Sequence, residues 1–310
     1  MHILAADIGG TNCRLALYQA ESPSDFSLLR EITYSSDSAE SLSVIIARFL
    51  SQLTKQPIER ACIGIAGPVI AQRCATTNLP WRVSAQEIRQ TFDFEQVWLL
   101  NDLEANAWGI NLLKEQDFWL LNPGREEAEG NRSIISVGTG LGEAGMVYCC
   151  DEYRPFASEG GHSDFSPTTS LEFKLHQWLT KQFNHVSWER LVSGPGLESL
   201  YTFLLDYHKQ QTPAWLSAVV SSKGMAPAIS QAALEGRDPL CLEALDLFLL
   251  LFGREAGNHA LKLMATGGVY LGGGITPRVL NQLKSSRFLD AFFDKGRMRP
   301  LMEAMPVRVI

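Results

Sequence analysis

Apolar runs alternate with amphipathic stretches along this chain, and glycine clusters stand where several of the runs end. Residues 3–8 read as a short buried strand that stops at Gly9-Gly10, and residues 13–18 resume as a strand with Leu15 and Leu17 on one face. The turn at 9–12 therefore predicts a glycine-rich hairpin. Residues 32–34 are a candidate third strand. Leu42, Ile45, Ile46, Phe49 and Leu53 recur at helical spacing behind a helix start expected at Asp37 or Ser38. Residues 62–66 and 97–100 are further apolar strands, the first stopped by Gly67-Pro68, the second followed by Asn101-Asp102 and a helix from about Leu103.

The opening pattern then returns. Residues 134–137 run into Gly138-Thr139-Gly140-Leu141-Gly142, and residues 144–150 come back as a strand. A weak internal repeat of strand, glycine turn and strand implies two related lobes. Helices are expected at 171–182, 196–208, 227–234 and 240–264. After them come a strand at 268–271, a turn at Gly272-Gly273-Gly274, a helix at 276–283 opened by Pro277, and a last strand at 307–310. Strands alternating with helices, with glycine turns at strand ends, indicate an α/β fold that binds ligands at strand termini. The expected organisation is a small α/β lobe at 1–109, to which 302–310 returns, and a large lobe at 110–301 that is helix-rich in its second half. Gly109 marks the expected hinge region.

Composition narrows the function classes. The 310 residues are 45% apolar and 20% charged, ordinary for a folded protein, and long enough for two domains. A net charge of -7 disfavours nucleic acid as a partner and means that an anionic nucleotide needs local help from backbone N–H groups and Mg2+. The six cysteines form no C-x-x-C pair and are expected to be reduced and mostly packed, with no zinc site. Residues 242–252 are strongly apolar, but Glu243 and Asp246 interrupt them, so a buried helix is expected rather than a membrane span. With no signal-peptide pattern at the start, a cytoplasmic protein without membrane partners is expected.

Asp7-Ile8-Gly9-Gly10-Thr11-Asn12 sets an aspartate before a turn whose glycines let a backbone approach phosphate and aim N–H groups at it. Asp7 can hold Mg2+ directly or through water. A hairpin alone needs the glycines, but neither the aspartate before them nor Thr11-Asn12 after them. The turn at Gly138-Thr139-Gly140 is a second anion nest by the same reasoning. Gly272-Gly273-Gly274 offers either a flat surface for adenine and ribose or a site of close helix packing. Neither a Walker A motif nor a dinucleotide fingerprint is present.

Asn101-Asp102 is the candidate acid/base site, since an aspartate can take the proton of a hydroxyl that attacks phosphorus. Asp102 also reads as the N-cap of the next helix, and the two readings are compatible. Glu159-Gly160-Gly161-His162 places two side chains where both can face one polyhydroxylated ligand, with Asp164 close by. Glu189-Arg190 reads by default as a surface salt bridge, and Asn78 as a turn residue.

The blocks DIGGTN at Asp7, IGIAGPV at Ile63, TNLPW at Thr77, NDLEANAWG at Asn101, VGTGLG at Val137, EGGHSDF at Glu159, ERLVSGPG at Glu189 and GGVYLGGGI at Gly267 resemble the bacterial glucokinase family in order and spacing. The resemblance runs from about residue 3 to the end. It implies a two-lobed hexokinase/actin-like (ribonuclease H-like) fold with glucose and ATP meeting in the interlobe cleft. Asp102 would be the base on the sugar 6-hydroxyl. Asn101, Glu159, His162 and Glu189 would bind the other hydroxyls, with Asn78 and Gly138 lining the pocket. Ala6, Asp7, Ile8, Gly9, Gly10, Thr11 and Asn12 would bind ATP phosphates, with Gly138, Thr139 and Gly140 opposite and Gly272, Gly273 and Gly274 beside the adenosine. The resemblance also suggests a homodimer.

Two departures stand out. The related repressor/kinase group carries a Cys-rich zinc motif after its Gly-His, which this chain lacks. Family members also continue past the last strand with an Asn-Pro-Gly-Leu-type turn and a closing helix, whereas this sequence stops at Ile310. A kinase for another hexose and a glucose-binding sensor without turnover remain open alternatives.

Overall fold

Alternating apolar residues pull the start of the chain into a meander. Strands β1 (His2–Ile8) and β2 (Asn12–Ser22) pair antiparallel across the first glycine turn, and β3 (Asp25–Ser35) adds to the far side of β2. Leu4, Ile8, Leu15 and Leu17 enter a core that helix α1 (Leu42–Leu50) covers with Leu42, Ile45, Ile46 and Phe49. Ser41, not Asp37 or Ser38, occupies the N-cap of α1. Residues Ser36–Ser38 make a single 3-10 turn, because Ser36 is occupied elsewhere. Fully buried, it donates its hydroxyl to Gly9 O at 2.8 Å and its N–H to Thr11 O at 2.8 Å, bracing the glycine turn from below.

Strand β4 (Arg60–Ile65) lies parallel to β1. Three short strands follow, β5 (Val69–Ile70), β6 (Arg73–Ala75) and β7 (Arg82–Ser84), in a small antiparallel sheet. The β5–β6 turn uses Ala71 and Gln72 at φ of 49° and 60°. Left-handed turns favour Gly or Asn, so this hairpin carries no sequence signal. Helix α2 (Ala85–Phe92), strand β8 (Gln96–Asn101) and helix α3 (Asp102–Ile110) complete the first unit. The sheet order is β3-β2-β1-β4-β8. The Gln72 amide receives Leu99 N–H at 2.8 Å and donates to Leu99 O at 3.2 Å, so a side chain occupies ladder groups of the outermost strand.

The computed structural model describes residues 1–22, 25–53, 57–76, 79–125, 129–285 and 287–310, and separates into units Met1–Leu113 and Lys114–Ile310. The second unit contains β9 (Trp119–Asn122), β10 (Arg132–Val137), β11 (Leu141–Cys149), β12 (Glu152–Ser158) and the helices α4 (Ser170–Leu179), α5 (Gly194–His208), α6 (Ala214–Lys223), α7 (Met225–Leu234) and α8 (Pro239–Leu263). It ends in β13 (Gly268–Gly272), α9 (Leu280–Ser285), α10 (Phe288–Phe293), α11 (Arg299–Glu303) and β14 (Val307–Val309). Its sheet runs β12-β11-β10-β13-β14-β9. An antiparallel meander followed by two parallel strands thus occurs in both units, which is the internal repeat foreseen in the glycine turns.

Two expectations are corrected. The division falls after Leu113 rather than at 109, and residues 302–310 do not return to the first unit: β14 pairs with β13 and β9 inside the second sheet. Val307 and Val309 are fully buried there, which is why these residues stay. Among the cysteines, Cys149 and Cys150 are exposed beside a left-handed two-residue turn, unlike the buried Cys13, Cys74 and Cys241. No helix among the described residues is long and apolar enough to cross a membrane.

Helix α8 also buries ionisable groups. Glu255 is fully buried, and its carboxyl is pushed up to about 8 by burial first and by the nearby Glu143 carboxylate second. The folded state therefore holds this proton at pH values where the unfolded chain releases it near 4.5. Stability from Glu255 is complete below that value and is lost as pH rises through about 8. The melting temperature should fall between pH 5 and 8, and Glu255→Gln should flatten that fall. An unchanged pH dependence in the variant would contradict this account.

Candidate active site

The first unit gathers the glycine turn and the Asn101-Asp102 pair on one sheet. Asn101 is buried at the end of β8 and is the N-cap of α3, accepting from Leu103 N–H at 3.0 Å and Glu104 N–H at 3.3 Å. Its amide also donates to Gly67 O at 3.2 Å. The N-cap expected at Asp102 is thus one residue earlier, and Asp102 opens the helix itself, half-buried, with its Oδ1 accepting from Leu103 N–H at 2.9 Å. Burial pushes the neighbouring Glu104 carboxyl up.

Helix α3 comes this close to the sheet because β4 carries a glycine. A Cβ on Gly64 would stand 3.1 Å from Ala105 Cβ and 3.9 Å from Asp102 Cα. Gly64 is also the register partner of Asp7 on β1. Registered residues on parallel strands present their side chains to the same face, so the exposed Asp7 stands on the face that α3 covers. Ala6 and Ile8 turn into the core, while Gly10, Thr11 and Asn12 are exposed. Gly9 N–H donates to Asn12 O at 2.9 Å and closes the turn. Asn78 lies outside the described residues.

In the second unit the His162 ring sits between two carboxylates: Nε2 is 3.9 Å from Glu159 Oε2 and Nδ1 is 3.9 Å from Glu189 Oε1. His162 and Glu159 are exposed. The short turn Gly160–His162 that carries His162 is packed against β11: a Cβ on Gly161 would collide with the Leu141 carbonyl. The Leu141 N–H donates to Glu189 Oε2 at 3.0 Å, so one peptide segment seats both the turn and the glutamate. Glu189 is held alongside by a backbone zipper, with Trp188 N–H on Ser163 O at 3.1 Å and Phe165 N–H on Val186 O at 2.9 Å. Ser193 caps α5 and donates to Glu189 O at 2.7 Å.

The surface salt bridge expected for Glu189-Arg190 does not form; Arg190 lies over the Phe183 ring at 4.3 Å. Asp164 turns instead to His185 Nδ1 at 3.3 Å. Gly138 O accepts from Gly194 N–H at 2.8 Å, and Gly138 N–H reaches Gly140 O at 2.9 Å, leaving Thr139 exposed at the tip. Gly273, at φ of 89°, needs to be glycine because a Cβ would strike the Val137 backbone. Gly274 faces open space, whereas Gly272 is buried.

Comparison with known proteins decides the family. A family model described as Glucokinase matches residues 4–310. A curated glucokinase of Trichormus variabilis is 38% identical, covering 99% of this chain and 94% of its own length. The chain belongs to the glucokinase family. The crystal structure of a glucokinase from an Antarctic psychrotroph superposes with a TM-score of 0.83 at 33% identity, over 100% of this chain and 94% of the other. A Balamuthia mandrillaris glucokinase solved in complex with glucose shares the fold, with a TM-score of 0.75 at 23% identity over 99% of this chain and 89% of that one.

This glucokinase-family chain also uses residues that sequence reasoning passed over. Gly64 sits inside an apolar strand, where a glycine is itself a sign of close approach. Ser36 gave no signal, because its partner is the turn 27 residues away. Asn101→Ala should cost about 1 kcal/mol of stability through the lost cap. Asn101→Asp keeps the acceptor for the helix but sets a carboxylate oxygen against Gly67 O, so it should restore the cap only in part. Equal melting points for Asn101→Ala and the unaltered chain would contradict the capping role.

Proposed function

We propose that this chain transfers the γ-phosphoryl group of ATP to the 6-hydroxyl of glucose, yielding glucose 6-phosphate and ADP. Membership of the glucokinase family supports the reaction class. The observation that carries the substrate is the His162 ring flanked by Glu159 and Glu189, a set of acceptors and donors suited to several sugar hydroxyls. A site built on such groups discriminates strongly against a ligand that lacks a hydroxyl, because each missing partner leaves a polar group unpaired.

Asp102 would accept the 6-hydroxyl proton as the oxygen attacks the γ-phosphorus, and the bond to the bridging oxygen of ADP breaks. Its place in the first turn of α3 suits the task, since the positive end of a helix stabilises a negative charge. Asn101 has its carbonyl and one amide hydrogen committed, which leaves the second amide hydrogen for a sugar oxygen. The exposed backbone at Gly10, Thr11 and Asn12 would receive phosphate oxygens from N–H groups, with Thr139 and the neighbouring glycines doing the same from the second turn. Gly274, with open space where a Cβ would stand, would lie beside the adenosine.

Asp7 would hold Mg2+ through water. Among the described residues no three His, Cys, Asp or Glu side chains converge on a metal, and one exposed carboxylate fits a cation that draws its remaining ligands from water and phosphates. Bound there, Mg2+ would neutralise phosphate charge.

A coupled assay with ATP should show turnover on glucose exceeding that on mannose or an N-acetyl hexosamine. Glucose binding without any hexose turnover would favour a sensor instead. Glu159→Gln and His162→Ala should each raise the KM for glucose by about tenfold or more and change the KM for ATP by less than about twofold. Equal losses for both substrates would contradict the proposed division of labour.

A further inference from the structure

We propose that Glu143 and His259 form a buried positioning pair that seats the Gly160–His162 turn, and through it holds Glu159 and His162 in place for the sugar. This rests on the reading that those two side chains bind glucose hydroxyls. Glu143 on β11 and His259 on α8 are 2% and 3% exposed. Glu143 Oε2 lies 3.2 Å from His259 Nδ1, and His259 Nε2 lies 3.0 Å from Ala144 O.

A carbonyl only accepts, so Nε2 carries a hydrogen and donates it to Ala144. The Nδ1 contact with Glu143 must then hold a proton as well, on the ring or on the carboxyl. Burial works against a charged His259, but the hydrogen bond and charge of Glu143 outweigh it and push its titration up. The ring is therefore fixed at both nitrogens, and it fixes the carboxylate in turn.

That carboxylate touches the turn. A Cβ on Gly160 would collide with Glu143 Oε2 and would stand 3.1 Å from Ser158 Oγ. Ser158 is the cross-strand partner of Glu143, and its hydroxyl accepts from Gly160 N–H at 3.0 Å. Gly160 thus rests on a floor made of Glu143 and Ser158, with Glu159 just before it and His162 two residues after. On its other side the pair faces Glu255, whose carboxyl oxygen accepts from Asn258 at 2.9 Å, with Lys262 and Lys295 also near Glu255. Nothing in core packing requires a carboxylate and an imidazole here, and one oxygen of Glu143 has no partner among the described residues.

The test is steady-state kinetics on the unaltered chain, Glu143→Ala, Glu143→Gln and Gly160→Ala. Glu143→Ala should raise the KM for glucose by about fivefold or more, with the KM for ATP within about twofold. Glu143→Gln should restore the glucose KM to within about twofold, because its amide can donate to Nδ1 of a neutral His259 and keep the same shape under Gly160. Gly160→Ala probes the contact from the other side, and stands in if Glu143→Ala does not fold. It should raise the glucose KM alone, by a similar factor. An unchanged glucose KM in Gly160→Ala, equal shifts for both substrates, or a Glu143→Gln as impaired as Glu143→Ala would overturn the pair's role. If the unaltered chain fails to phosphorylate glucose, the functional reading fails instead. If it succeeds while every variant matches it, only the positioning pair fails.

Discussion

The contact of the Gly161 Cα with the Leu141 carbonyl sets what the second unit can offer a ligand. Backbone meets backbone there more closely than any side chain permits, and the same Leu141 peptide donates its N–H to Glu189. One strand end therefore fixes His162 and one of its two flanking carboxylates together. A Cβ at Gly161 would push the turn away from β11 and separate them. The first unit applies the same constraint at Gly64, whose bare Cα lets α3 approach until Asp102 and Asp7 share a face. In both places a glycine inside or beside a strand, where it weakens the sheet, permits a close backbone approach.

Around these contacts the polar groups divide into those that hold and those that face outward. Asn101, Ser36, Ser193 and Glu143 are buried and spend their hydrogen bonds on backbone or on His259. Glu159, His162 and Thr139 are exposed. Buried polar side chains held by hydrogen bonds rigidify their surroundings, and exposed ones can meet a ligand. Asp102, at the start of its helix, is half-buried, and one of its oxygens receives a backbone N–H.

Much of this was legible in the sequence. The glycine turns, the repeated strand–turn–strand unit and the long α8 all follow from periodicity and breakers, and the ordered blocks led to the right family. The misses have physical causes. The β5–β6 hairpin turns on Ala71 and Gln72, residues that seldom adopt left-handed backbone. A short apolar strand such as the one at 307–309 does not reveal which sheet it joins. The role of Asn101 is half legible: Asn and Asp are nearly equal as N-caps, so the pair alone does not say which of them caps the helix. Glu143 stood as a lone carboxylate in an apolar strand. Its partner, 116 residues later on α8, could not be found from local spacing.

If proton removal belongs to Asp102 and sugar recognition to the group around His162, a substitution can separate the two. The most direct measurement is glucose binding by calorimetry beside phosphoryl transfer from ATP, both on Asp102→Ala. The account predicts a Kd for glucose within about threefold of the unaltered chain and a transfer rate lowered by about 10²–10⁴. Transfer at the unaltered rate would remove Asp102 from the role of base.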